Sequence, residues 1–553
     1  MNILKVFNRS IETDIYVACL PPPDKYYKLS LAASLTISLA ASAALAQLVN
    51  ASVIAAFPAL LLTSLLAASY LPRAVAKLRA SDIDVELPFF LIYMSTLSIV
   101  LTPLQVLEKV SRAPKYVFNQ MRYEARRFCI EAKVYGRDPL EALSEVARTT
   151  PHRGLRSILE GYVTAVKSGS NPVEYLVKQS ELFIRRRVAE IRARVESLVS
   201  LMESFISVTI FTVVTLFSLS VSSEALPMLA GQLLTTLRVP RELITLSYVL
   251  PLMLSVLFML LAKGLQPRSP ISEYRQYVPI ALSHIVVVVP IVHVFLTPLL
   301  TMPRAWMTLP VLISATLLVS SVISAVFDAK YERFYSSIRR GFRDFIKELR
   351  ELRRVGVSPE KAIDSLSERD YGRFSKYVRL LNEYIRHFRP LREFMAEFVH
   401  EVRDWLVISL MFIFIDTIEV GGVTVEVLDR YSTYVDSIFL IESEKRARLK
   451  VLKLMPFVTA MIQFFTIYSV LYIFDSIVVS LGRGSLMDRA GPMTFSVLAV
   501  TNYVYGLIAG LLSEERLSGG FKYAAILMGI TLLFLAFGDY LVRGLFAVLG
   551  GRL

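Results

Sequence analysis

Long runs without any charged residue constrain the fold of this chain more than any other feature of its sequence. The first run extends over residues 29–72. As a single helix it would measure roughly 66 Å, about twice the hydrocarbon core of a bilayer. It must therefore fold back on itself, and the polar stretch at residues 47–52 is the predicted turn. We expect an all-α integral membrane protein.

Nine segments are apolar and long enough to cross a bilayer as helices. Apolar residues make up 54% of the chain, and the charged residues, 20%, are confined to a few blocks between these segments. The predicted spans are residues 29–48, 53–71, 204–223, 243–262, 277–300, 306–327, 454–474, 490–513 and 523–541.

Lysine and arginine predict the orientation, because cationic segments stay on the cytoplasmic side of a membrane. With the N-terminus inside, the inner segments hold 54 of the 61 lysines and arginines. We therefore predict a multi-pass protein of the cell membrane with its C-terminus outside. The predicted divisions are 1–28 (cytoplasmic segment), 29–71 (two spans), 72–203 (first cytoplasmic helical domain), 204–327 (four spans), 328–453 (second cytoplasmic helical domain) and 454–553 (three spans and an outer tail).

Residues 87–107 are also free of charge, and hydropathy alone predicts a tenth span there. The pair Thr102-Pro103 argues against it, because threonine as N-cap and proline at the first helical position are typical of a helix stop and restart. The preceding helix is then only about 15 residues, or roughly 23 Å. A tenth span would also reverse every later loop. We predict a buried helix of the first cytoplasmic domain.

The two cytoplasmic blocks share a pattern of residues. When Pro103 is aligned with Pro359, Thr102 falls on Ser358 and several apolar positions coincide. The second copy is far too charged around residues 344–360 to cross a membrane. The first copy should therefore be soluble as well.

A second break is common to both blocks. Residues 168–176 and 421–428 each place glycine at a helix end, with Glu174 or Glu426 near the start of the next helix. A long basic amphipathic helix then leads into a span in both copies. We predict two parallel copies of one unit, each with two spans, a helical domain and two further spans, followed by a ninth span.

Together these features resemble the type II secretion system protein F superfamily. They are the start at Pro88, the break at residues 356–360, the glycine-to-glutamate restart and the charged helix that enters a span. The extra spans are similar to those of the archaeal branch, which contains the archaellum J protein and archaeal type IV pilus platforms, related to tight-adherence C proteins. The first copy differs in having Val100 and Ser170 where glycines are expected.

The resemblance implies a platform in the lipid bilayer on which a filament is built. A cytoplasmic hexameric secretion ATPase would act on it to extract pilin-like or archaellin-like subunits and polymerise them. Archaellum, adhesive pilus and DNA-uptake pilus stay open, with an archaeal type IV pilus preferred over an archaellum.

Basic residues of the second copy are the candidate docking site for that ATPase. At helical spacing five of them share one face and concentrate positive charge for an acidic partner. They are Arg339, Arg343, Lys347, Arg350 and Arg354, with Arg340 and Arg353 in the same segment. A solvated face without a partner is the alternative.

Gly506 and Gly510 form a Gly-x-x-x-Gly pattern in the eighth predicted span. This spacing lets two helix backbones approach closely. Packing within the chain is preferred, and contact between two copies in a homodimer is the alternative.

No enzymatic motif is present in the sequence. No Gly-Lys pair occurs, which excludes a P-loop for ATP, and His-Glu-x-x-His and Gly-x-Ser-x-Gly are absent. The five histidines lack the spacing of metal ligands, and the two cysteines, Cys19 and Cys129, predict neither a disulfide nor a thiolate site. We predict no catalytic residue, cofactor, metal or nucleic-acid partner.

Two other functions stay open. A secondary transporter can also have many spans and an internal duplication, but these spans nearly lack the ionisable groups that mark a substrate path. An intramembrane aspartyl protease could use Asp475 and Asp539. However, Ala-Phe-Gly-Asp stands here where such proteases have Gly-x-Gly-Asp, and both aspartates lie towards the predicted outer side.

Overall fold

All regular structure in the described part of the chain is helical, and no strand occurs there. The computed structural model describes residues 18, 22–48, 57–230, 241–265, 277–278, 280–285, 307–482 and 484–548. The α-helices are α1 (Pro23–Leu48), α2 (Phe57–Leu97), α3 (Pro103–Arg112), α4 (Gln120–Lys133), α5 (Pro139–Thr149), α6 (Arg153–Lys167), α7 (Pro172–Ala230), α8 (Arg241–Leu265), α9 (Thr308–Arg354), α10 (Pro359–Ser367), α11 (Ser375–Arg386), α12 (Leu391–Glu401), α13 (Trp405–Glu419), α14 (Val425–Leu452), α15 (Leu454–Ser480), α16 (Leu486–Glu514) and α17 (Phe521–Val548). Short 3₁₀ helices occur at Gly372–Phe374 and Ser518–Gly520.

Five helical stretches among the described residues are long and apolar enough to cross a membrane. They lie within Pro172–Thr215, Thr308–Arg354, Val425–Ser480, Leu486–Glu514 and Ser518–Gly538, and a shorter apolar helix covers Val249–Gly264. The total of nine spans stays a prediction. Residues 286–300 of the fifth predicted span and residues 49–52 of the first predicted turn lie outside the described part.

Helices α1 and α2 run in opposite directions against each other. The Tyr26 hydroxyl near the start of α1 donates a hydrogen bond to the Ala68 carbonyl of α2, at 2.6 Å. Helix α2 then continues without a break to Leu97. The predicted separate helix of about 15 residues is therefore the last part of a helix of 41 residues, which passes through Pro72 and Pro88.

The charge-free segment that follows Glu86 is buried among protein side chains. Leu91, Ile92, Tyr93 and Leu97 are each 1% exposed and belong to the largest hydrophobic core of the molecule. The prediction of a buried helix in a helical domain is confirmed.

The predicted helix break after this segment is also confirmed. Thr102 is the N-cap of α3, with its side chain accepting a hydrogen bond from the Gln105 amide and Pro103 in the first turn. Gln105 completes a capping box. In the second block Ser358 caps α10 in the same way, with Pro359 in the first turn.

Glycine ends helices where the sequence indicated. Gly169, Gly356 and Gly421 follow α6, α9 and α13 with φ of +74°, +90° and +72°. Each sits in a pair of backbone hydrogen bonds typical of a Schellman motif, as in the bond from the Gly422 amide to the Thr417 carbonyl. No left-handed residue follows α2, where Val100 replaces glycine.

The two blocks have the same succession of helices. The long helix α2 is followed by α3 to α6, of 10, 14, 11 and 15 residues, and then by the long helix α7. The long helix α9 is followed by α10 to α13, of 9, 12, 11 and 15 residues, and then by the long helix α14. We call the two sets of short helices, each with the adjoining parts of its long helices, the first bundle and the second bundle.

The two bundles share one hydrophobic core. The Phe89 and Trp405 rings meet edge to face with centroids 4.6 Å apart, and the Trp405 indole N–H donates to the Val117 carbonyl at 3.3 Å. Helix α13 carries apolar residues on almost every side. This composition fits its position, because the first bundle covers the side that the second bundle leaves open.

Both bundles are joined directly to membrane helices. Helix α7 is continuous over 59 residues, from its polar start into its apolar end. Helices α14 and α15 meet at Lys453, the single residue between them. A rotation or shift of either bundle would therefore act on a membrane helix without an intervening loop.

Candidate functional site

Charged side chains of both signs meet where the second bundle joins the membrane helices. They come from three places: the part of α9 just after its apolar segment, the end of α14, and the connection between α16 and α17. We call this set the boundary network. Its members are Asp328, Glu332, Glu442, Lys445, Arg446, Glu514, Glu515, Arg516 and Lys522.

Lys445 of α14 is the most enclosed cation of the boundary network, with 16% of its side chain exposed. Its Nζ lies 2.6 Å from a carboxylate oxygen of Glu515 and 3.1 Å from one of Glu442. The neighbouring Arg446 binds Glu332 of α9 at 2.9 Å. Helix α14 is therefore held to α9 on one side and to the α16–α17 connection on the other.

Arg516 binds the same part of α9 from the opposite direction. Its guanidinium lies 2.7 Å from Glu332 and 3.9 Å from Asp328, whose side chain is 5% exposed. Glu515 next to it has φ of +57°, an uncommon conformation for a residue other than glycine. The same residue makes the 2.6 Å ion pair with Lys445.

The boundary network pairs charges of opposite sign from three separate segments. Five carboxylates face four cations, so nearly every buried charge has a partner. Breaking a buried pair costs several kcal/mol because the remaining charge stays in a poorly solvated place. The network therefore favours movement of α9, α14 and the α16–α17 connection as one body.

The basic face predicted on α9 lies against α14. Arg343 binds Asp436 at 2.7 Å, and Arg354 binds Asp429 at 2.9 Å. Arg350 lies 3.8 Å from the same Asp429. Much of the positive charge that the sequence places on this face is therefore neutralised within the chain.

The other members of the predicted face differ in their exposure. Arg339 is mostly buried and bonds to Asp404, the N-cap of α13. Lys347 and Arg340 are exposed, and no ion pair of either one occurs within the described part of the structure. Arg353 donates hydrogen bonds to backbone carbonyls, among them that of Val423 at 3.1 Å.

A comparable polar cluster joins three helices of the first bundle. Asp84 of α2 accepts a hydrogen bond from Arg187 of α7 at 2.7 Å, and Arg194 lies 3.2 Å away. His152, the N-cap of α6, lies 3.5 Å from the same carboxylate. Burial alone raises the pKa of Asp84, but the bonds from His152 and Arg187 outweigh it and lower that pKa well below its usual range.

A second buried carboxylate connects the two bundles. Asp416 of α13 accepts hydrogen bonds from the Tyr93 hydroxyl and from Lys109 Nζ, the latter at 2.7 Å. Burial, with the nearby Asp416 charge, raises the pKa of Tyr93 well above its usual range, so the phenol stays protonated and donates. This contact holds the bundles in one relative position.

Gly506 and Gly510 lie at a close contact between α16 and the start of α17. A Cβ atom at Gly506 would stand 2.3 Å from the Ala524 Cα, and one at Gly510 would stand 2.0 Å from the Gly520 Cα. Only glycine fits at either position, because the nearest atoms belong to backbone. The contact is within one chain.

Asp475 has a capping role at the other end of α16. Its carboxylate accepts hydrogen bonds from the Leu486 and Met487 amides, at 2.6 and 2.9 Å, and from the Ser485 hydroxyl at 2.8 Å. These bonds satisfy free amides at a helix start. Asp539 lies in α17, and its side chain is outside the described part.

The boundary network was not predicted from the sequence. The local signal for it is a set of opposite charges three or four residues apart, with Glu442 followed by Lys445 and Arg446. Residues 514–522 are, in the sequence, a short connection between two predicted spans. Only the fold brings that connection next to α9 and α14.

The fold defines an all-helical, multi-pass membrane protein in which two helical bundles are joined directly to apolar helices long enough to cross a membrane. Comparison with known families assigns part of it directly. Residues 345–472 match the family described as Type II secretion system (T2SS), protein F. The chain therefore contains a type II secretion system protein F domain, a domain of secretion and pilus platform proteins. No curated protein and no solved structure matches the chain.

Proposed function

We propose that this chain is the membrane assembly platform of an archaeal type IV pilus-like machine, with the archaellum as the alternative filament. It would couple a cytoplasmic secretion ATPase to the extraction and polymerisation of pilin-like subunits. The protein F domain carries this proposal, because residues 345–472 begin in the second bundle and end inside the membrane helix α15.

The path for force runs from the second bundle to the membrane through two connections. One is the near-continuous helix α14–α15, and the other is the boundary network at Glu332, Lys445 and Arg516. Movement imposed on the bundle would tilt or rotate α15 and, through the ion pairs, α16 and α17. Rigid-body motion of packed helices is a common way to convert a local event into a larger change.

We further propose that the chain is a duplicated unit with nine spans and both bundles in the cytoplasm. The matching succession of helices and the matching caps at Thr102 and Ser358 support the duplication. The distribution of lysine and arginine supports the orientation.

The exposed part of the basic face is our proposed contact for the ATPase. Lys347 is exposed, and Arg343 and Arg354 have 48% and 49% of their side chains exposed. An acidic partner can approach these groups without breaking the core of the bundle.

Deletion of the gene, with the neighbouring filament genes intact, tests the proposed function. We expect processed pilin-like subunits to accumulate in the membrane without filaments on the cell surface, and the full chain to restore filaments. Purified full chain should also bind the purified cognate ATPase. Normal filaments in the deletion strain would contradict the proposal.

A further inference from the structure

One end of the two bundles lies away from the membrane helices, and we call it the distal pole. Successive helices of each bundle alternate in direction. In the first bundle, Arg126 and Lys133 of α4 contact Ser111 and Glu108 of α3 in reverse order, and two contacts show the same in the second. Lys376 at the start of α11 binds Glu401 at the end of α12, at 2.6 Å, and Arg353 near the end of α9 donates to Val423 after α13. The pole therefore consists of residues 98–102, 134–138, 168–171, 355–358, 387–390 and 420–424.

Loops of both bundles meet at the distal pole. A Cβ atom at Gly422 would stand 3.2 Å from a methyl carbon of Val100, which places the loop after α13 against the loop after α2. The pole is therefore one surface to which both bundles contribute.

Large apolar side chains are exposed at the distal pole more than anywhere else on the described parts of the bundles. Val134, Tyr135, Val355 and Phe388 are 72%, 68%, 82% and 96% exposed. The next, Leu440, is 59% exposed and lies towards the membrane. Apolar groups concentrated at one end of a soluble bundle typically mark an interaction site.

Phe388 is also unfavourable for its own backbone. It follows α11 with φ of +51°, and the backbone bond from the Arg389 amide to the Tyr384 carbonyl is that of a Schellman motif. Glycine normally occupies this position, because other residues pay a steric cost there. The chain uses glycine at the other left-handed helix ends of the pole, which are Gly136, Gly169, Gly356 and Gly421.

The Phe388 amide bonds to the Ile385 carbonyl at 3.2 Å, but its side chain is 96% exposed and adds little to the packing of the bundle. Glycine would fit its conformation better, and a polar side chain would suit its exposure better. An observed outlier of this kind points to a function outside the folded chain. Aromatic side chains at such positions are frequent anchors of protein interfaces.

Positive charge surrounds this aromatic side chain. Arg386, Arg389 and Arg392 lie within four residues of it, with 62% and 52% of the first two side chains exposed. Arg386 pairs with Asp364 and Arg389 pairs with Glu393, and Arg392 lies within electrostatic range of Glu419. An acidic partner surface can compete for these exposed guanidinium groups around an apolar contact.

Lipid is too distant to cover the distal pole. The apolar part of α9 ends near Phe327, and the helix continues unbroken to Arg354, about 27 residues or roughly 40 Å further on. The basic face of α9 ends at Val355, so the pole is continuous with the surface already proposed for the ATPase.

We propose that the distal pole docks the secretion ATPase, with Phe388 inserted into an apolar pocket within an acidic surface of that enzyme. This inference rests on the proposed function. Tyr135 and Val355 are further exposed apolar side chains of the same pole. Arg386, Arg389 and Arg392 lie close to Phe388 in the chain and offer guanidinium groups to acidic residues of the partner.

Binding of the purified cognate ATPase to the purified full chain in detergent tests this docking site. Phe388→Gly and Phe388→Asn should each weaken binding by at least about tenfold, the loss expected for an interface anchor. Both variants should melt at the wild-type temperature or above it, because glycine and asparagine tolerate the left-handed conformation. A matched control is Leu182→Ala, which truncates an exposed apolar side chain of α7 and should bind as the wild type does.

Each other outcome identifies a different error. Binding by both Phe388 variants within twofold of wild type would overturn the docking site and leave the proposed function intact. A lower melting temperature in both variants would show that Phe388 stabilises the fold. That result would also overturn the docking site. A changed oligomeric state in light scattering, with ATPase binding unchanged, would show that the pole contacts a second copy. Absence of ATPase binding by the wild-type chain would contradict the proposed function itself.

Discussion

Lys445 Nζ lies 2.6 Å from a carboxylate oxygen of Glu515, and this pair joins the helix that leaves the second bundle to the connection between two membrane helices. Glu442 completes the environment of the same cation at 3.1 Å. Because 16% of the Lys445 side chain is exposed, the pair is largely desolvated. Its partners are therefore expected to matter for both stability and coupling.

Lys445→Met should destabilise the chain by about 2–4 kcal/mol, because it leaves Glu442 and Glu515 without their cation in a poorly solvated place. Thermal unfolding in detergent measures this effect. Filament assembly should fall while ATPase binding persists, since the distal pole is unchanged.

Exchanging the charges of Lys445 and Glu515 tests whether the interaction between these two residues, and not their separate contacts with other groups, stabilises the chain. The double variant Lys445→Glu with Glu515→Lys should recover part of the lost stability, whereas each single variant should not. Lys361→Met, at an exposed position of α10, is the matched control. If Lys445→Met melts like that control, the pair has no structural role.

Gly506→Ala and Gly510→Ala should each destabilise the chain by about 1–3 kcal/mol, the usual cost of overpacking. Each new methyl group would meet backbone atoms at 2.3 Å or less, those of Ala524 in α17 for Gly506 and those of Gly520 just before α17 for Gly510. Gly529→Ala is the matched control, because no atom lies within 4 Å of its added Cβ. Equal melting temperatures for all three variants would rule out the close contact.

Lys347→Glu should weaken ATPase binding without lowering the melting temperature, because its side chain is exposed. Arg343→Glu should lower the melting temperature, since it places two acids together at Asp436. Comparison of the two variants at increasing salt distinguishes docking from folding, because salt screens an exposed charge more strongly. Unchanged binding by Lys347→Glu at low salt would remove Lys347 from the docking surface.

Asp84→Asn should lower the melting temperature at neutral pH, and the difference from wild type should shrink as the pH falls. The pKa of Asp84 is lowered in the folded chain by His152 and Arg187. Such a group stabilises the fold above its ordinary pKa of 3.8 and loses that contribution as the pH falls through its folded value. A difference that stays constant between pH 6 and pH 3 would contradict this assignment.

The candidate site was only partly predictable, because charge spacing along a helix does not reveal what lies opposite. Arg343 and Arg354 share a face of α9 as expected, but Asp436 and Asp429 of α14 neutralise them. Lys445 and Glu515 are 70 residues apart in the chain, and no local pattern links them. The exposure of Phe388 follows from the direction of α11, which hydropathy does not indicate.

Local chemistry along the chain is sufficient to predict the helical fold class, the apolar segments and many helix ends. Thr102 and Pro103 specify a helix start, and Gly421 specifies a helix end, whatever lies nearby. How the bundles meet depends instead on the packing of distant segments. This packing buries residues 87–97 against α13, and it brings α9, α14 and the α16–α17 connection into one ion-pair network. These relationships join distant segments, and only packing can decide between the alternative partners that each apolar or charged face could bind.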